Sequence, residues 1–193
     1  MRGSLMDVDP LPDADAAGGV RIRADMLPPR THGSNIRALV SAQRWDDLRR
    51  PVCDAAGRRC EICRGVSVRG GRVILPDCHE KWRFETRNGV PVQRLQRLVA
   101  LCAGCHEVQH SGLAGIKGRI EFVVDRLRQL NGWSREQAEA DLRRAGMRCR
   151  ELDAREWALD LTVLAGRMSV AGHDGLYFTF DQRAALARLP SGH

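Results

Sequence analysis

Two cysteine pairs carry the first chemistry legible in this chain, Cys60-x-x-Cys63 and Cys102-x-x-Cys105. A turn of that length points both sulfurs of a pair at one ion. Two such pairs supply the four thiolates of a closed, structural zinc site with no open position for substrate. The start of the chain is acidic and polar, with no apolar signal-peptide region. The expected setting is therefore the cytoplasm, where spaced cysteines read as metal ligands before disulfides. A redox CxxC is disfavoured, because there are two pairs and no thioredoxin-like βαβ pattern around either. Cys53 and Cys149 fall in helical patterns and read as small buried apolar residues.

A second set of donors overlaps the first. In "LCAGCHEVQH" (Leu101 to His110), His106 and His110 are four apart on a predicted short helix, so they share one face. One helix can offer two imidazoles to one metal in this way. Upstream, "DCHEKW" places Cys78, His79 and Glu80 side by side, and strand alternation puts Asp77 and His79 on one face. His32 in "RTHGSN" and His173 in "GHDG" lie in loop-like contexts and receive no role.

Several elements must position these donors. Ser41 is the expected N-cap for a helix to about Gly57, with Trp45, Leu48, Val52 and Ala56 on one face and either a kink at Pro51 or a division into two shorter helices there. A Gly-rich loop, "RGVSVRGG", follows the first knuckle. "RVILPDCHEKWRFE" reads as two short strands or one bent strand, and Asn88-Gly89 is a hairpin turn signal. "VPVQRLQRLVALC" returns as a strand, and "SGLAG" is expected to end the histidine helix. Further helices are predicted from Ile116 to about Leu130 and, from a Ser134/Gln137 capping box, to about Ala145. "EWALDLTVL" alternates like a strand, and the tail adds a strand and a short helix.

Composition sets the partner class. The net charge is +7 and only Lys81 and Lys117 are lysines, so arginine carries the basic excess. Arginine forks suit phosphate oxygens, which points to a polyanion such as DNA. Aromatics are scarce at 5%, which argues against a wide stacking platform for single strands. No stretch is long and apolar enough to suggest a membrane span.

The pattern Cys60-x-x-Cys63, "DCHEKW", a hairpin and then "LCAGCHEVQH" resembles the zinc-ribbon branch of the HNH endonucleases. The flanking "SNIRALVSAQRWDDLRRPVCDAAGRRCEIC", "LNGWSREQAEADL" and "EWALDL" are similar to a group of bacterial HNH proteins. The resemblance implies an α+β fold with a treble-clef-like ββα-metal core fastened by the structural zinc. The expected organisation is a disordered leader over 1–24 and an N-terminal extension with a helix over 25–57. The core would span 58–114, and a helical extension with short strands would span 115–193.

By the same resemblance, His79 is the general base, and His106 and His110 bind a catalytic divalent metal (Mg, Mn, Ni or Zn). His79 would take a proton from water, which attacks a DNA phosphodiester, while the metal steadies the leaving 3′ oxygen. Cys78 stands where the family places an Asp or His ligand. A thiolate there is soft and favours Zn, Ni, Co or Fe over Mg. Three readings stay open: Cys78 binds the second metal, Asp77 or Glu80 substitutes, or His106 and His110 hold it with waters. The family's middle Asn has no counterpart just before "LC"; Gln93, Gln96 and Asn88 are the nearest amides. Expected DNA contacts are Lys81, Arg83, Arg94 and Arg97, with Arg69, Arg72 and Arg87 beside them. Paired cuts in duplex DNA would suit a homodimer. The alternative is a non-catalytic, zinc-stabilised DNA-binding module.

Overall fold

The computed structural model describes residues 9–12, 19–33 and 35–186. It is a mixed α/β chain organised on one long hairpin. Strands β1 (Ser67–Arg69) and β2 (Arg72–Ile74) form a small antiparallel ribbon turned by Gly70 and Gly71, both at positive φ. Strands β3 (Asp77–Arg87) and β4 (Val90–Leu101) pair antiparallel across the Asn88-Gly89 turn, whose residues have φ of 49° and 80°. These angles are those the Asn-Gly signal calls for. Two short strands complete the sheet in the order β3-β4-β5-β6. Strand β5 (Ala158–Asp160) runs parallel to β4, and β6 (Tyr177–Phe178) runs antiparallel to β5. Strand β3 is therefore an edge.

Alternation along β3 sorts its side chains between two cores. Trp82 and Phe84 enter a cluster with Leu95, Leu98, Trp157 and Leu159, and Cys78 packs against it. Asp77, His79 and Lys81 have the opposite parity and face the other way. Lys81 pairs with Arg97 but Trp82 pairs with Leu95, so Gln96 is the extra residue of a bulge. The bulge reverses parity on β4 and lets Leu95 and Leu98 share one cluster.

Helices α1 (Ile36–Leu39) and α2 (Ala42–Ala55) cover that second cluster. Ser41 caps α2 by accepting from the Arg44 N–H, and Pro51 lies inside the helix without ending it. The first cluster joins Val99 and Leu101 to α3 (Ala103–Gln109), α5 (Ile120–Asn131) and α6 (Arg135–Asp153). Ser134 and Gln137 form the capping box of α6, which runs eight residues past the expected end near Ala145. A last helix, α7 (Phe180–Leu186), closes the described chain.

Three expectations change. "SGLAG" does not end the histidine helix: Ser111–Ile116 forms its own short helix, α4, and His110 is the joint between α3 and α4. Gly118, at φ 67°, ends α4, so α5 begins four residues later than expected. The leader is not featureless over its described part. Leu11, Ile22 and Ala24 are buried, and Asp141 accepts the Ala24 N–H at 2.7 Å. Buried apolar side chains and satisfied backbone groups outweigh the Asp-, Ala- and Gly-rich composition that suggested disorder. Residues 1–8 and 13–18 of that leader lie outside the described residues.

Candidate metal centres

The first knuckle, Cys60 to Gly65, turns through Arg64 at φ 61° and closes with Cys60 N–H to Gly65 O and Arg64 N–H to Cys60 O, each 2.9 Å. Gly65 then donates its N–H to Cys63 Sγ at 3.4 Å. A Cβ at this position would stand 3.3 Å from the same sulfur, so glycine keeps that approach open. Glu61 fastens the knuckle to β4, donating its N–H to Ala100 O at 2.9 Å and accepting the Ala100 N–H at 2.8 Å. The second knuckle begins where β4 ends, with Cys102 at the N-cap of α3 and Cys105 one turn in.

These elements bring Cys60, Cys63, Cys102 and Cys105 together, with all four sulfurs within 4.8 Å of one another. The Cys63 and Cys102 sulfurs are 3.6 Å apart, far from a disulfide bond length. The donor set fits one tetrahedral ion such as zinc. Arg126, from α5, reaches Cys105 Sγ at 3.4 Å and Cys102 Sγ at 3.7 Å. Its guanidinium offsets the excess negative charge that four thiolates would place on a divalent ion. Hydrogen bonds from Cys105 and Cys60 hold Cys102 below the ordinary thiol range, and the bonds to Cys102 and Cys60 push Cys105 up.

The second group is His79, His106 and His110, whose ring nitrogens also lie within 4.8 Å of one another. His106 and His110 Nε2 atoms are 3.0 Å apart, so at least one is a bare lone pair facing the other. The His79 ring stands 5.3 Å from that of His106 and 5.1 Å from that of His110, both edge-on. Burial, followed by repulsion from His110 and His106, pushes the His79 pKa well below the usual 6.5. Burial and His106 bring His110 down to about 4. Both imidazoles are therefore neutral at neutral pH, the form that donates a lone pair to a metal. Three imidazoles suit zinc and other borderline divalent ions better than magnesium.

The surroundings orient the triad. Asp77 Oδ2 lies 3.4 Å from His106 Nδ1, leaving Nε2 toward the other rings. The joint at His110 is held from outside by the N-terminal segment. Asp25 donates its N–H to Val108 O and accepts the Ser111 N–H at 3.1 Å, while Gln109 donates to Arg23 O at 2.8 Å. Sequence reasoning missed this support, because nothing in "RIRAD" marks a strap across the joint.

Other expected site residues lie outside the two donor groups, although Cys78, Glu80 and Gln93 line the same cleft as the triad. Cys78 lies outside both donor groups, packed against the second cluster, and burial raises its thiol to about 12. Glu80 is half-buried beside it, accepts the Ile36 N–H at 2.8 Å, and is pushed up to about 7 by desolvation. Gln93 is buried and accepts from Arg183 at 2.6 Å, Gln96 occupies the bulge, and Asn88 stays in the turn. Lys81 is not a surface cation: it is 5% exposed and paired with Asp9 at 2.8 Å, because its parity points it inward. Arg83 and Arg94 both pair with Glu85, and Arg97 pairs with Glu61 at 2.7 Å; the Arg83 and Arg97 side chains remain 55% and 44% exposed.

The triad borders a cleft of about 560 Å³. His32, Asn35, Arg37 and Trp45 also line it, none of which the sequence had marked as site residues. Comparison with family models, with curated proteins and with solved structures returned no match. Among the described residues, no helix is long and apolar enough to cross a membrane.

Proposed function

We propose that this protein is a metal-dependent endonuclease that hydrolyses DNA phosphodiester bonds, with the hairpin β3–β4 and helix α3 as a ββα-metal core. The observation that carries the reading is the convergence of His79, His106 and His110 on a cleft, beside a separate four-cysteine frame. His106 and His110 would hold the divalent ion, and the Cys60, Cys63, Cys102 and Cys105 sulfurs would hold a structural zinc. A divalent ion on the histidines supplies positive charge for the phosphate and the leaving oxygen. Asp77 keeps His106 in one tautomer through Nδ1. His79 accepts the proton of the attacking water, and the products carry 5′-phosphate and 3′-hydroxyl ends.

One observation favours a second role for His79. Its depressed basicity and its place within the 4.8 Å donor group suit a third ligand as well as a base. The metal content of His79→Ala separates the roles: a lost base leaves the second ion bound, whereas a lost ligand removes it.

The test is hydrolysis of plasmid and oligonucleotide DNA by purified protein supplied in turn with Mg, Mn, Ni and Zn. Cutting that His79→Ala and His106→Ala abolish is the expected result. No cutting with any metal would leave the alternative of a non-catalytic zinc module, and variants as active as wild type would remove the chemistry from the histidine site.

A further inference from the structure

The cleft beside the triad is not shaped for a paired duplex. Its lining is mainly apolar and includes Met26, Leu27, Trp45, Trp82, Leu113 and Ile116. Leu113 and Ile116, on α4, remain 50% and 86% exposed, so folding leaves them without a covering partner among the described residues. Duplex DNA presents phosphates and polar groove edges, and its base faces are hidden in the stack. Apolar and indole walls match the face of a base that has left the stack.

Charge and size agree. Among the described residues lining the cleft, Arg37 is the one Arg or Lys. Lys81 is buried against Asp9, and Arg83 and Arg94 share Glu85, four or more residues along the hairpin from His79 and Val99. Such a cleft offers charge for a phosphate or two rather than a track for two backbones. Its volume of about 560 Å³ falls in the range of sites that enclose one small molecule, roughly 300–1,000 Å³. The scarcity of aromatics speaks against a wide stacking platform, but a single base needs only one indole face, which Trp45 supplies.

We propose that this cleft takes an unpaired nucleotide of a DNA strand. Its base lies against Trp45 and the α4 side chains Leu113 and Ile116, and its phosphate faces His79, His106 and His110. The inference rests on the nuclease reading for the direction of the phosphate, and it names the substrate as single-stranded, frayed or extruded DNA.

The test is equilibrium binding, not cleavage. A labelled oligothymidylate and a blunt duplex of equal length are titrated at one salt concentration against wild type, Trp45→Ala and Leu113→Ser. The half-exposed Leu113 can be replaced without opening the core, so it controls for misfolding at Trp45. The expected result is tighter binding of the single strand, weakened roughly ten-fold by Trp45→Ala and several-fold by Leu113→Ser. Equal or tighter binding of the duplex, no measurable binding of either, or single-strand binding unchanged in both variants would each overturn the proposal. Absence of hydrolysis with every metal sinks the nuclease reading alone, because this readout needs no turnover.

Discussion

The four sulfurs and the three imidazoles meet at consecutive residues, Cys105 and His106, yet their surroundings differ in kind. Cys60 and Cys105 are fully buried, a backbone N–H and the Arg126 guanidinium point at the sulfurs, and the four donors are enough for a tetrahedral shell. His79, His106 and His110 offer three donors and border a 560 Å³ cleft, and burial and neighbouring imidazoles hold His79 and His110 neutral. The same short helix thus serves a set that is complete and a set that leaves room for another molecule. Coordination number and access, not donor density, separate a fastening site from a working one.

Breaking the fastening site should have the largest effect. Cys60→Ser or Cys105→Ser removes a buried ligand that ties the first knuckle to α3. A structural zinc contributes roughly 10 kcal/mol or more, comparable to the whole stability of a domain. Loss of the cooperative thermal transition, followed by circular dichroism, is expected, and a strong chelator should reproduce it. Breaking the other site should spare the fold. His106→Ala and His110→Ala should melt within a few degrees of wild type and lose hydrolysis, and His79→Ala should lose roughly 10²- to 10⁴-fold as a general base.

The comparison sharpens with pH in protein that keeps an ion among the four cysteines and none at the histidines. The His79 and His110 pKa values are depressed in the folded state, so the unfolded chain binds more protons between about 4 and 6.5. Their contribution is fully present above pH 6.5 and is lost as pH falls through about 4. Denaturant midpoints should therefore drop between pH 7 and pH 5, and the drop should shrink in the His79→Ala/His110→Ala double variant. The smallest effect is expected at Cys78. Cys78→Ala should cost about 1 kcal/mol of packing and leave metal content unchanged, since Cys78 packs on the side of β3 opposite His79. A loss of one metal equivalent would place it back among the ligands.

The legibility of the molecule divided along the same line. Both CxxC pairs, the Asn88-Gly89 turn, the Ser41 cap and the Ser134 capping box are local signals, and the chain obeys them. The spacing of His106 and His110 was legible, although the helix breaks at His110 and the Asp25 strap restores the alignment. Which of Cys78 and His79 faces α3 was not legible. That depends on strand parity relative to two cores, one of which is built from Trp157 and Leu159, far along the chain. The inward turn of Lys81 has the same cause, and its partner Asp9 lies in a segment whose composition suggested disorder. The cleft was invisible for a related reason: Trp45, Arg37 and Leu113 come from three elements that only tertiary packing assembles.

The most direct test of the two-site account is a metal count by X-ray anomalous scattering on crystals of wild type and of His106→Ala/His110→Ala. The account predicts two ions in wild type, one among Cys60, Cys63, Cys102 and Cys105 and one at the histidines, and only the cysteine-bound ion in the variant. A wild-type protein that holds a single ion under every metal supplied, or a second ion that persists without His106 and His110, would contradict it.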